Sequence, residues 1–444
     1  MAIHMDLFHH VRTCTLDDLK TALSPTDFWY RYALPLAHSV EAVKYAICAL
    51  GGAHRAFKIQ DSEKHPAMDG LQLVSVQQYN QAIRHVNSLM NTATEEDIEV
   101  ILTCCVIFIS IENLHGRYAE SLRHLKAGTS LLISLMSKGN ELYNFQELES
   151  GSSDGVLRVK AKLPHDMAQT FCRLGNDVWG YIRQMIAPDL NFYAIIDDEI
   201  SSRTGPFESV DAAEEAFHNV VKLFEADRTV SARMMMALAQ HHHNESRGHM
   251  YFMPSHVPDG QHLMPPERLE AIYNNWSQRF DLFRLQLDES SATSQVILRT
   301  RSLAVDQALW TGWLKCKVWA DYQQEDYEEI LRRAESLVAL DAFWSSAVFA
   351  FDGSLILSLA VPCVSSMDSD IQWRTIRLLR SFRRKEGIWD SQELADILEA
   401  MMIATSQGMV TTDMLPWDVP QLARLMDSFK LAGVHIPEGP LLLT

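Results

Sequence analysis

The chain holds 444 residues, 47% hydrophobic and 22% charged, enough apolar mass for a sizeable core without disulfide or metal staples. Its formal charge of −18, from 57 acidic and 39 basic residues, repels phosphate backbones and argues against direct nucleic-acid binding by the chain itself. Seven cysteines without a C-x-x-C pair, a polar histidine-rich opening and no run of 18 apolar residues predict buried thiols in a soluble intracellular protein, with no signal peptide and no membrane span.

In chain order, Met1 to Thr15 sets Leu7, Phe8 and Val11 among histidines, and Asp27 to Leu36 is rich in aromatics. Ser39 to Phe57 and Leu71 to Met90 carry helical spacing. Thr94 to Met136 reads as a helical hairpin around which the rest is organised. Thr94 is a cap, and Ile98, Ile101, Leu102, Cys105, Val106 and Ile109 recur at helical spacing. The remaining faces, with Val100, Cys104, Ile107, Phe108 and Ile111, are apolar too, so this arm is a buried central helix. Gly116 breaks it, and a second arm with Leu122, Leu125, Leu132 and Met136 on one stripe follows.

Polar or irregular stretches near 137–162, 187–208 and 244–266 read as loops. Helices are expected over 166–186, 209–243, 266–287, 293–322, 327–340, 353–361, 371–384, 391–405 and 419–431. No alternating runs pair as strands. The expected class is all-α: a single large multi-helix body over 1–444 with a buried central hairpin.

Few motifs point to chemistry. Gly151 to Gly155 matches G-x-S-x-G but lies in a polar loop, without the strand and helix that a nucleophile elbow needs. His241, His242 and His243, with His249, His256 and His262, form a histidine-dense segment. Neighbours about 100° apart on a helix cannot share one ion, so no metal site and no cofactor is assigned.

Glu112 and His115, three apart at the end of the central helix, are the candidate catalytic pair. The alternative is that Glu112 takes hydrogen bonds from a neighbouring helix or pairs with an arginine. Phe108, Trp310, Trp313, Phe343 and Trp344 are candidate walls of an apolar ligand pocket, with helix–helix core as the alternative. Any catalysis here would be metal-free and shaped by that pocket. The cavity is expected between the Trp310–Trp319 helix and the Phe108–His115 end of the central helix.

Five pieces in order also carry a resemblance. They are Ala42-Val43-x-Tyr45-Ala46-x-x-Ala49-Leu50-Gly51-x-x-His54, Gln78-Tyr79-Asn80-x-Ala82-Ile83-Arg84, Phe108-Ile109-x-Ile111-Glu112-Asn113-Leu114-x-Gly116, His124-Leu125-x-x-Gly128 and Glu386-Gly387-Ile388-Trp389-Asp390-Ser391. The chain resembles the regulatory domain of fungal zinc-cluster transcription factors from about residue 7 to residue 404. A proline pair and a Cys-Arg-Asp-Pro turn common in that family are replaced here by Ile356-Leu357 and Cys363-Val364-Ser365-Ser366.

The resemblance implies a nuclear location, with the cytoplasm as the alternative. It implies action through other proteins (the transcription machinery or a full-length relative), a homodimer as one option, and an apolar small molecule as a further ligand. Direct DNA and membrane contacts are not expected, because no six-cysteine finger is present in the sequence. The competing reading is a repurposed metabolite-binding protein or biosynthetic enzyme. In the last motif, Gly387 is expected to stop a helix, Asp390 or Ser391 to cap the next, and Trp389 to anchor the turn.

Overall fold

A computed structural model describes residues 2–19, 28–59, 66–90, 95–138, 203–221, 265–315, 323–344, 347–350, 355–366 and 368–406, with single residues near 170 and at 223–224. The sequence expectations for 139–162, 187–202 and 244–264, for the histidines from 241 to 262 and for the 419–431 helix fall outside these residues.

Contacts divide the chain into two compact units rather than spreading evenly over 1–444. Unit 1 is built from Met1–Asn144, Ala161–Leu190 and Val338–Leu443, and unit 2 chiefly from Asn191–Leu337. The chain therefore leaves unit 1, builds unit 2 and returns.

Unit 1 opens with α1 (Ala2–His10), one wide helical turn (Val11–Thr15) and α2 (Leu16–Leu19). A second wide turn (Trp29–Ala33) leads into α3 (Leu34–Ser39) and α4 (Glu41–Ile59). Then come α5 (Pro66–Met90), α6 (Glu95–Leu114) and α7 (Tyr118–Lys138). The all-α expectation and the hairpin of α6 and α7 are both present. Residues 100–114 of α6 are all buried, on every face, which is what an apolar helix in water requires. α4 is nearly as deep, with 13 buried residues from Ala42 to Phe57.

Two glycines in the middle of α4 set its distance from its neighbours. A Cβ on Gly51 would sit 2.5 Å from the Leu7 carbonyl oxygen of α1, and one on Gly52 would sit 3.0 Å from Ser75 Cβ of α5. At Gly51 the neighbouring backbone leaves no room for a side chain, and at Gly52 the contact is tight, so glycine's lower helix propensity is outweighed by packing. Gly51→Val is expected to cost about 1–3 kcal/mol through overpacking, read as a lower urea midpoint at unchanged slope. Gly70→Ala on exposed α5 meets nothing within 4 Å and should be neutral or stabilising. Equal effects of the two changes would contradict the close approach of α1 to α4.

In unit 2 the described helices are α8 (residues 210–221), α9 (Pro266–Gln286), α10 (Ser294–Lys315) and α11 (Gln324–Val338). Their core is aromatic: Phe217 tilts on Trp276 at 4.5 Å, and Trp310 packs edge-on against Phe217 and Phe224. Trp276 Nε1 donates to the Ala213 carbonyl at 2.9 Å, tying α9 to α8. Gln307 on α10 is buried and satisfied at both ends. Its amide nitrogen donates to Ser277 Oγ at 2.7 Å, and its oxygen accepts from Arg333 Nη1 at 2.7 Å. One side chain thus links α9, α10 and α11.

Back in unit 1, a short 3-10 turn (Asp341–Trp344) and β1 (Val348–Ala350) precede α12 (Leu355–Ser365) and α13 (Ser369–Ser381). β2 (Arg384–Glu386), β3 (Trp389–Asp390) and α14 (Ser391–Ser406) follow. The strands correct the expectation that none pair. β1 runs parallel to β2, and β2 antiparallel to β3.

Gly387 is also corrected in role. It does not end a helix, since α13 has already ended at Ser381. With φ +56 it turns β2 into β3 and donates to the Ala350 carbonyl at 3.1 Å. The rest of that motif behaves as expected. Asp390 Oδ1 accepts from Gln392 N at 2.9 Å as a helix cap, and Trp389 is buried.

Candidate functional site

The end of the hairpin gathers the polar groups of the core. Gly116, in the left-handed region at φ +67, closes α6. Its N–H donates to Asn113 O at 3.1 Å and that of Arg117 to Glu112 O at 2.9 Å, the double bond pattern of a glycine helix stop. That turn folds Arg117 back so that its Nε lies 2.6 Å from Glu112 Oε2, an ion pair between a half-exposed guanidinium and a buried carboxylate. From α5, the Tyr79 hydroxyl donates to Glu112 Oε1 at 2.6 Å. From α7, His124 Nε2 lies 2.9 Å from the same hydroxyl. Phe108, four residues before Glu112 and so on the same face of α6, packs edge-on against Tyr79 at 4.9 Å and tilted against His124 at 5.2 Å.

The protons follow from this geometry. Burial pushes the Glu112 carboxyl above its usual range, though Tyr79 and Arg117 pull it back. Burial, with the Glu112 contact, pushes the Tyr79 hydroxyl up. Burial lowers His124 to about 4, so it is neutral at pH 7. With the Tyr79 proton committed to Glu112, the tyrosine oxygen accepts from His124 Nε2–H. The chain His124–Tyr79–Glu112–Arg117 thus links α7, α5, α6 and the hairpin turn through one carboxylate. It fixes three helices against one another, and both oxygens of Glu112 are engaged, by Tyr79 and by Arg117.

His115 is not part of that chain. No hydrogen bond joins it to Glu112, and its Nε2 is buried without a partner among the described residues. Burial, then Arg117 and Lys385, lower it to about 4. Of the two candidate residues, the structure therefore ties Glu112 to a tyrosine and an arginine, the alternative read from the sequence.

The pocket candidates fall in both units. Phe108 lines the cluster above. Phe343 packs edge-on against Phe382 at 5.3 Å in unit 1, and Trp310 belongs to the aromatic core of unit 2. The side chains of Trp313 and Trp344, and Trp319 altogether, lie outside the described residues.

The residues flanking the Glu386–Ser391 motif meet the hairpin end as well. Lys385 Nζ donates to Asn113 O at 3.4 Å, and Tyr118 at the start of α7 donates to Glu393 Oε2 at 3.0 Å. Two motifs that are 270 residues apart in the chain thus share one site. A second polar cluster escaped the sequence reading. Completely buried His54 of α4 donates through Nε2 to Asp18 Oδ2 at 3.0 Å, and its Nδ1 lies 3.1 Å from His10 Nε2. Lys58 Nζ reaches the same Asp18 oxygen at 2.6 Å and the Ala347 carbonyl at 2.5 Å, and Phe349 N donates to Asp18 at 3.3 Å. Burial acts to raise the Asp18 carboxyl, but His54 and Lys58 outweigh it and hold it low. The signal available in the sequence was His54 itself, a polar side chain inside the apolar run of α4.

Among the described residues, no three His, Cys, Asp or Glu side chains converge as a metal-binding group, and no helix is long and apolar enough to cross a membrane. Cys48, Cys104, Cys105 and Cys363 are buried thiols, with Cys48 pushed up by burial to about 11 and Cys105 and Cys363 to about 12.

Comparison with known proteins bears on this same segment, because residues 6–158 match the family described as the fungal specific transcription factor domain. A curated relative is the aspercryptin biosynthesis cluster-specific transcription regulator of Emericella nidulans. It is 32% identical over 104 residues, which cover 23% of this chain and 17% of that protein. The match thus spans about a sixth of the relative's length. No solved structure matches the chain. The matched segment contains the whole Glu112 cluster and the His10–His54–Asp18–Lys58 cluster. The Glu386–Ser391 motif that docks on it comes from beyond residue 158.

Proposed function

We propose that the chain acts as the regulatory body of a fungal transcription regulator, working in the nucleus through contacts with other proteins and not by reading DNA with its own surface. The observation that carries this reading is the transcription factor domain over 6–158. The net charge of −18 supports the second half, since an acidic chain gains nothing from counterion release on a phosphate backbone. The role named for the Emericella nidulans relative supports the genes of a biosynthesis cluster as the class of target.

Two measurements test it. Fused to a heterologous DNA-binding domain in a fungal host, the chain should change expression of a reporter carrying that domain's sites, and an unaltered reporter would reject the regulatory role. Mixed alone with promoter DNA at physiological salt, it should give no sequence-specific shift. Specific binding in the nanomolar range, about 10⁻⁸ M or tighter, would overturn the second half.

A further inference from the structure

Among the described residues, one side of α5 has no partner. Ser75, Gln78, Tyr79, Ala82 and Val86 are buried on the inner side of the helix. Turned roughly a third of a circle away is a second stripe, Leu73, Val76, Asn80, Ile83, Asn87 and Met90. Leu73 is 60% exposed, Val76 39% and Met90 61%, among the few large apolar side chains left in water. Asn80 and Asn87 are exposed and Ile83 is half-buried. The spacing is three, four, three, four, three: a heptad seam with Leu73, Asn80 and Asn87 at one core position and Val76, Ile83 and Met90 at the other.

The charges say what covers it. At the 22% charged content of the chain, the 25 residues of α5 would hold five or six charges, yet only Asp69 and Arg84 are present. Gln72 and Gln77 flank the seam where charges would otherwise select or reject a partner. A basic partner finds no acids there and an acidic partner finds one arginine. Two copies of a chain carrying −18 repel each other except along a strip of this kind.

The asparagines narrow the choice further. Opposite an apolar side chain each would be left unsatisfied, whereas opposite its own counterpart each makes a hydrogen bond, and that in-register pairing occurs in a parallel pair of helices. We infer that a second copy of the chain docks in parallel along Leu73, Val76, Asn80, Ile83, Asn87 and Met90 of α5. Two and a half heptads would be marginal for free peptides. α5 is already folded on α4, so pairing does not have to bear the cost of forming the helix. This pairing holds whatever the regulatory role of the chain.

Sedimentation velocity of the full chain from about 1 to about 100 µM tests it, the range in which a contact of this size is expected to respond. The chain should shift from monomer to dimer. Leu73→Glu and Val76→Glu, both at exposed positions that leave the fold alone, should each weaken the dimer about 100-fold by setting like charges face to face. Leu285→Glu, at an 84% exposed position of α9, should leave it unchanged. In a Cys14→Ser background, Asn80→Cys should form a disulfide-linked dimer under mild oxidation, because a parallel seam sets residue 80 against its counterpart. A monomer at the highest concentration, seam variants that dimerise like the unaltered chain, or an Asn80→Cys protein that does not cross-link would each overturn the inference.

Discussion

Acidification from pH 7 to pH 4.5 is expected to strip several kcal/mol of stability from unit 1, before most of its carboxylates titrate. His115 and His124 are both lowered from 6.5 to about 4. Burial is the main cause in each; Arg117 and Lys385 add to it at His115, while at His124 Glu120 opposes it and Arg117 assists. In the native state both rings stay neutral until about pH 4, whereas the unfolded chain takes up protons on them below about 6.5. The unfolded state thus binds more protons throughout that window, so stability is whole above it and falls as pH falls through it. Two protons give a limiting slope of roughly 2.7 kcal/mol per pH unit. Glu112, raised above its usual range, works the other way and blunts the lower end. His10, also lowered to about 4 but more exposed, adds a smaller share. Urea unfolding at a series of pH values reads the slope. The double variant His115→Gln, His124→Gln should flatten it, and an unchanged slope in that variant would show that other groups carry the proton uptake.

Glu386→Ala should be the most damaging single change to the C-terminal part of unit 1. Glu386 is fully buried, and its two oxygens do different work. Oε2 accepts the Ile356 N–H at 2.9 Å, in the first turn of α12, where four N–H groups lack partners within the helix and the helix dipole favours an anion. Oε1 takes Arg384 Nε at 2.5 Å. Removing the carboxylate leaves a mostly buried guanidinium and a helix N–H unpaired, a loss on the order of 3 kcal/mol. Glu386→Gln keeps an acceptor for the helix but not the charge, and should fall between the two. Urea unfolding of both variants checks the order. A loss below about 0.5 kcal/mol for Glu386→Ala, the range of ordinary surface changes, would show that the carboxylate is not what anchors α12.

The hairpin was legible from sequence because every face of α6 is apolar, and such a helix has only the interior to go to. The fate of Glu112 was half legible. Arg117 follows five residues on, past the glycine that turns it back, whereas Tyr79 reaches the carboxylate from another helix and no spacing reveals that. The strands were hidden for a different reason. Strands of three, three and two residues show no alternation, and Arg384-Lys385-Glu386 looks solvent-facing. It is drawn inside by ion pairs with its own neighbours, Arg384 to Glu386 and Lys385 to Asp390, which hydropathy does not register. Trp310 was read as a candidate pocket wall with helix–helix core as the alternative, and spacing along one helix cannot say that Phe217 and Phe224 would meet it.

The Asp18 cluster has a consequence for how the protein is made. Asp18 accepts the Phe349 N–H from 331 residues further along the chain, and Lys58 donates to the Ala347 carbonyl, 289 residues further along. A ribosome adding about 5–20 residues per second needs roughly 15 to 70 s to travel from Asp18 to Phe349. Once α7 is complete at Lys138, roughly 10 to 40 s more pass at that rate before Phe349 is added, and most of unit 2 is synthesised in that interval. The nascent chain therefore spends tens of seconds with the side of unit 1 that β1 will close still open, the kind of transiently exposed surface that chaperones cover.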